Sequence, residues 1–452
     1  MNTAFLRRCA PLLLCAALFS APAAMAAPAP TSAELDAVVA QFKSHGLTPA
    51  GKNGFLQPVR WVEQSLVAER SSIALTTKDG REALRPGQDL VFDLNLPLPG
   101  RVETPMVFIG YGLHGRSGKN YIANVDLRGK VLVMIQPGGA SADEARAQQE
   151  ETRAAFEHAG ALGVITILAR GADAAQEPTG FYLDAKTVEG ANAAFAATVR
   201  AENANVLFDK SGHSFAQIEA AAVNGEALPS FQLNKGLTAD LKTKRRTVED
   251  MAVLATLPGS DPSLAREYVV VTAQLSSSAS LSGIERALAD GVSPRRTTLF
   301  AVVREPGRGA AAARAVVAET ARKAGVVAVL SIGDVGADRI LVRGMEDSSI
   351  GMAARDLAAT GGVLTTLRPL TVMDRLPASA TAPQLGLSRP SEAGASFDGY
   401  TALLVKRIGD SPDRPRWTPT SRFAPPQLDA EDTRPLRMPL SRHSERDERG
   451  AA

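Results

Sequence analysis

The sequence predicts an α/β fold, a mostly parallel sheet flanked by helices. Residues 268–275 read YVVVTAQL, an almost unbroken apolar run, and residues 297–303 and 326–332 repeat that texture. Strands apolar on both faces are those covered on both faces, as in parallel sheets. Residues 283–289 and 310–324 lie between the runs with helical spacing, so strand and helix alternate. The chain has 452 residues, enough for two or three domains. Its 45% hydrophobic and 22% charged residues are those of a globular protein.

Residues 1–26 read as an export leader. Arg7 and Arg8 precede an apolar stretch from Ala10 to Ala21, and Ala24-Met25-Ala26 offers the small-x-small pattern that a signal peptidase cuts. The stretch is too short to span a bilayer, and a lipoprotein signal on Cys15 wants a small residue where Leu14 stands. The expected location is therefore periplasmic or secreted, after cleavage near Ala26, with no membrane span. Cleavage removes Cys9 and Cys15, both of the chain's cysteines, which excludes disulfides, thiol nucleophiles and cysteine-bound zinc from the mature chain. The 50 basic residues against 48 acidic ones leave no cationic surplus for a phosphate backbone, so nucleic acid is not an expected partner.

Ser32 caps a helix whose stripe is Leu35, Val38, Val39 and Phe42, and Gly46 ends it. Short strands are predicted over 57–62, 72–76 and 89–94, before Pro97, Pro99 and Gly100 punctuate the chain. Residues 106–111, 130–136 and 163–168 are further strands, with a helix over 142–159. Gly129 supplies a turn just before the second of these strands. Another α-β stretch runs to about Lys235, and 339–342 is a last short strand. From Asp410 the chain holds seven prolines among many charges, a composition that cannot bury a core, and 410–452 is expected to be a disordered tail.

Several segments together resemble the bacterial zinc-dependent aminopeptidases of metallopeptidase family twenty-eight with an inserted protease-associated (PA) domain. These are HGLTPAGKNGFLQPV from His45, then PMVFIGYGL, YIANVDLRGKVLVM and AGALGVITIL, then PGSDPSLAREYVVVTAQL and SPRRTTLFAVV from Ser293. The resemblance runs from about residue 32 to 405. It implies a zinc-peptidase-like α/β domain over 27–95 and 241–409, interrupted by a PA-type insert over 96–240. The PA segment carries no chemistry of its own and would serve as a lid, a binding surface or a structural insert.

Such enzymes hold two metals about 3.5–4 Å apart with His and carboxylate ligands and use a further carboxylate as base. The resemblance points to five places for these groups. After the first strand, where the family has a ligand His and a supporting Asp, this sequence has Gln274 and Ser276. The bridging aspartate of Asp-Asn-x-Ser-Gly becomes Ala279, although Ser282-Gly283 survives. The Glu-Glu pair falls on Pro306 and Gly307, with Glu305 one residue early. The aspartate of a later strand end falls on Gly333, with Asp334 one residue late. The last ligand His falls on Arg375, a guanidinium that cannot bind zinc. Gln274, Ser276, Ala279, Glu305, Asp334 and Arg375 are thus positions of a degenerate site. The zinc of the family is expected to be absent, with no other cofactor in its place.

The five histidines, His45, His114, His158, His213 and His443, lie far from these positions and share no ligand spacing. They read as surface or capping residues. The serines from Ser276 to Ser282 lack a Gly-x-Ser-x-Gly elbow, and Gly307-Arg308-Gly309 is not followed by the Lys-Ser/Thr of a phosphate loop. The leading expectation is an exported, catalytically inactive relative of the aminopeptidases that binds peptides or an envelope protein. Two alternatives stay open: an active aminopeptidase with a misaligned or rebuilt site, and a solubility or assembly factor acting through the Arg/Pro-rich tail.

Overall fold

The computed structural model describes residues 32–112, 127–136, 149, 152–153, 160–172, 176–184, 194–275, 278–289, 294–304, 311–334, 340–343, 348–361, 365–368, 383–389 and 394–416. The leader, most of the helix expected over 142–159, and the tail beyond residue 416 lie outside them.

Helix α1 (Ser32–Ser44) buries Val38 and Phe42. It ends as the sequence predicts: Gly46 takes φ +72°, and the Leu47 N–H donates to the Phe42 carbonyl at 3.0 Å. A glycine enters that left-handed cap without a Cβ clash. Strands β1 (Thr48–Pro49), β2 (Leu56–Leu66), β3 (Ser72–Thr77), β4 (Gly80–Leu84) and β5 (Val91–Phe92) follow. Next come β6 (Arg101–Phe108), β7 (Val131–Ile135), β8 (Gly163–Ile167), β9 (Gly180–Leu183) and β10 (Phe195–Val199). Gly129, in the turn before β7, has φ +68° and donates its N–H to the Gly160 carbonyl at 2.8 Å. Helix α2 (Phe215–Asn224) opens on a capping box of Ser214 and Gln217 and closes on left-handed Gly225. The rest is β11 (Phe231–Asp240), β12 (Thr243–Leu257), β13 (Glu267–Gln274), α3 (Ser278–Ala289), β14 (Thr297–Val303), α4 (Ala311–Lys323) and β15 (Gly325–Asp334). After these come β16 (Ile340–Arg343), α5 (Ser349–Gly361), β17 (Thr365–Arg368), β18 (Gln384–Arg389) and α6 (Gly394–Asp410).

The strands form two sheets in a mixed α/β fold. The first has the order β17-β16-β18-β15-β13-β14-β12-β2-β9, with β1 beside β12. Its centre follows the expectation of a mostly parallel sheet, since β14, β13, β15 and β18 are mutually parallel, and β16 and β17 at one edge are parallel to each other. β12 pairs antiparallel with β14 and β2, β9 antiparallel with β2, and β16 antiparallel with β18. The sheet is therefore mixed, because apolar runs encode burial and not direction. The second sheet has the order β4-β3-β11-β6-β7-β8-β10-β5. The chain enters it at Ser72, earlier than residue 95, and β9 returns from within 96–240 to the edge of the first sheet. The two crossings between sheets are tied together: Val67 N–H donates to the Lys242 carbonyl, and the Ser71 hydroxyl accepts from Lys242 N–H at 2.9 Å.

Helices cover both faces of the first sheet. Val38 and Phe42 of α1, Ile284 and Ala287 of α3, Ala354 of α5 and Leu404 of α6 pack on one face with Val269, Val271 and Leu330. Val316 and Val317 of α4 pack on the other with Val270, Leu299, Val329 and the fully buried Trp61. The second sheet has its own core around Met106, Phe108, Ile165 and Phe195, joined by Phe215 and Ile218 of α2. Residues 411–416 correct the start of the expected disordered tail. Arg416 N–H donates to the Ser349 hydroxyl at 3.0 Å and Ser349 N–H returns a bond to the Arg416 carbonyl at 2.9 Å. Charge and proline content hid this strap, since its bonds are made by backbone.

Asp261, just before β13, offers a direct electrostatic check. It accepts from the Ser263 hydroxyl at 2.6 Å and the Ser263 N–H at 2.9 Å, and it pairs with Arg295 at 2.6 Å. The serine hydrogen bond, then the Arg295 bond, hold its carboxyl down to about 2. A depressed carboxylate contributes stability above its unfolded pKa, and that contribution is lost as pH falls toward about 2. A carboxyl NMR titration should give a midpoint near that value, rising in Ser263→Ala. A midpoint at the ordinary value of about 3.9 contradicts the geometry.

Candidate functional site

In open α/β sheets the ligand crevice lies beyond the carboxyl ends of the parallel strands. Here β13 ends at Gln274, β14 at Val303 and β15 at Asp334. Gln274 stands opposite Val303, and Ala273 opposite Ile332, so the terminal row is Val303, Gln274 and Gly333. Asp334 is one step further along, opposite Arg389 of β18. Two rows below the terminal one, the buried Thr272 hydroxyl donates to the Ser331 hydroxyl at 3.1 Å. Directly after β14, Arg304 Nε donates to Asp250 Oδ2 of β12 at 2.6 Å. This pair is nearly buried, with 10% and 4% of the two side chains exposed. The other Asp250 oxygen accepts from the Met251 N–H at 2.8 Å.

The backbone thus brings Gln274 and Asp334 to one edge of the sheet. Ala279 lies in the first turn of α3, at the same end of β13. Ser276, Glu305 and Arg375 lie outside the described residues. The surviving glycine of the second motif has a packing role: a Cβ on Gly283 would meet Thr401 of α6 at 2.9 Å. Sequence reasoning missed Thr272, Ser331, Arg304 and Asp250. Arg304 is a charge closing a buried strand, but nothing local pairs it with a carboxylate 54 positions away.

A cocatalytic zinc pair does not fit the donors described at this edge. Gln274 is a neutral amide, Gly333 has no side chain, and Asp250 is already engaged by a guanidinium. Among the described residues no three His, Asp or Glu side chains gather as a metal site requires. Of the histidines, His45 follows α1, and His213 is exposed and stacks on Phe231 with ring centroids 4.2 Å apart. His114, His158 and His443 lie outside the described residues. No helix among the described residues is long and apolar enough to cross a membrane.

No protein-family model matches the chain, and no curated protein is similar to it. Solved structures are similar at low identity. An aminopeptidase from Aneurinibacillus sp. strain AM-1 shares 13% identity at a TM-score of 0.45, over 85% of this chain and 90% of that one. A zinc aminopeptidase from Bacillus subtilis shares 14% at 0.36, over 85% and 92%. A peptidase precursor of metallopeptidase family twenty-eight from Shewanella amazonensis SB2B shares 13% at 0.35, over 87% and 90%.

Proposed function

We propose that the chain is an exported, catalytically silent relative of the zinc aminopeptidases that binds peptides or an envelope protein. In this reading the second sheet, entered at Ser72, is a PA-type insert, and the carboxyl ends of β13, β14 and β15 keep the place of a metal site without its ligands. The observation that carries the reading is the terminal row Val303, Gln274 and Gly333, flanked by the Arg304–Asp250 pair. Two dications side by side need several anionic or imidazole donors, and each one lost leaves charge for water to satisfy. The buried pair beside that row is formally neutral, and its carboxylate is spent on a guanidinium instead of being offered to a metal.

The test joins metal analysis of the purified chain to an aminopeptidase assay in added zinc, with and without chelator. The expected result is no near-stoichiometric zinc and no chelator-sensitive turnover. Gln274→His alone should leave both results unchanged, because the neighbouring positions stay unfit. Near-stoichiometric zinc with chelator-sensitive turnover overturns the reading. That outcome would favour the active aminopeptidase with a misaligned or rebuilt site.

A further inference from the structure

Away from the carboxyl ends, β12, β2 and β9 form the floor of an open cleft of ≈ 410 Å³. Thr247, Val62 and Tyr182 stand in one cross-strand row, so their side chains share a face, and Pro97 supplies another wall. Arg245 lies two residues along β12 from Thr247, opposite Gln64, and so points to the same face. Its Nε donates to Gln64 Oε1 at 3.1 Å and its Nη2 to the Leu98 carbonyl at 2.8 Å. Gln64 is itself fixed: fully buried, it donates to the Leu96 carbonyl at 3.0 Å and the Leu94 carbonyl at 3.3 Å.

The Arg245 guanidinium is therefore held in a fixed orientation by neutral acceptors alone. Its neighbours differ. Arg246 pairs with Glu63 and Arg60 pairs with Glu249, whereas no carboxylate among the described residues pairs with Arg245. Burial raises the Tyr182 phenol, the nearby Arg245 charge lowers it and Asp184 raises it, with a net upward shift, so the hydroxyl remains a donor at neutral pH. An arginine already oriented, lacking a counter-ion among the described residues and lining a cleft with Val62 and Pro97 as apolar walls, suits a charge-assisted bond to a carboxylate.

We propose that this cleft binds a carboxylate joined to an apolar body, with the carboxylate on Arg245 and the body against Val62, Pro97 and the Tyr182 ring. Asp184 lies two residues beyond Tyr182, toward the row of Arg60 and away from Arg245. It lines the same cleft, so a second carboxylate on the ligand would approach a like charge. The ligand is a monoanion, either a small aromatic acid or the carboxyl terminus of an apolar peptide. The site shares no residue with the carboxyl ends of β13 to β15, so it stands or falls independently of the reading above.

The experiment is calorimetric titration of the purified full chain with phenylacetate, phenylmalonate, the N-acetylated tripeptide Ala-Ala-Phe as free acid, and the same acetylated tripeptide as its amide. Saturable binding of phenylacetate or the free-acid peptide is expected, and whichever binds more tightly identifies the source. The amide and the dianionic phenylmalonate should each bind at least about tenfold more weakly than the corresponding monoanion, a margin of about 1.4 kcal/mol. Arg245→Gln should weaken the monoanion by a similar factor, and added salt should weaken it further. Equal binding of acid and amide, unchanged binding in Arg245→Gln, or no binding by either monoanion overturns the proposal. Should Arg245→Gln fail to fold, the acid–amide comparison on the unaltered chain decides, with Tyr182→Leu as the second variant expected to weaken binding.

Discussion

Arg296→Ala is expected to lower the unfolding free energy by about 3–5 kcal/mol, the cost of breaking a buried charge pair from one side. Arg296 has 1% of its side chain exposed, and it lies at the amino end of β14, opposite the candidate site. Its Nε donates to Glu267 at the start of β13 at 2.7 Å, and its Nη1 donates to the Ser411 carbonyl beyond α6. Its own N–H reaches the Gly409 carbonyl at 3.3 Å. The side chain therefore ties the start of β13 to the strap that continues to Ser349, while the backbone of the same residue holds the end of α6. Truncation leaves the Glu267 carboxylate, 24% exposed, with Arg414 at 3.8 Å as its remaining cationic partner among the described residues, and leaves the Ser411 carbonyl without this donor. Arg296→Lys keeps the charge but cannot serve both acceptors with a planar fork, so it should recover only part of the loss. Urea unfolding measures both variants. A loss below about 1 kcal/mol for Arg296→Ala would mean that the pair merely balances its own desolvation.

The parts of the fold legible in the sequence are those fixed by burial and by backbone conformation. The runs at 268–275, 297–303 and 326–332 became β13, β14 and β15, because a strand covered by α4 on one face and α1, α3 and α6 on the other has no polar side to show. Gly46 and Gly129 were readable because each sits at a positive φ. The first half of β12, TKRRTVE, was not readable as a strand. It leaves the helical layers and pairs with β2 while its side chains meet solvent, so charge replaces alternation. Sheet membership was hidden for the same physical reason. The strands over 72–94 look like any others, and only their pairing with residues 100 or more positions away sets them in the second sheet. At the candidate site, Gln274 and Asp334 were placed at strand ends by pattern. The Arg304–Asp250 pair was invisible, since it depends on how far β12 overruns the end of β14.

The junction between the sheets should be as sensitive as the core of either one, and Gly180 is where this shows. Gly180 of β9 stands opposite Gln64 of β2. A Cβ built there would lie 2.2 Å from the Leu94 carbonyl carbon, 2.4 Å from its oxygen and 2.6 Å from Asn95 N. These are backbone atoms, so no rotamer change relieves the clash; the segment after β5 must move. That segment binds both sheets: Asp93 N–H donates to the Ala196 carbonyl of β10 at 2.9 Å, while the Asn95 side chain accepts from Phe181 N–H of β9 at 3.1 Å. Displacing it also pulls the Leu94 and Leu96 carbonyls from Gln64, whose amide is fully buried and would lose its acceptors. Overpacking of side chains costs about 1–3 kcal/mol. With backbone on the opposing side and a buried amide exposed to loss, Gly180→Ala should reach the top of that range, about 3 kcal/mol. Gly100→Ala is the control: no atom lies within 4 Å of a Cβ there, and its effect should stay within about 0.5 kcal/mol. Urea unfolding of the two variants beside the parent chain makes the comparison. Equal midpoints for Gly180→Ala and Gly100→Ala would show that the two sheets are not held together through this contact.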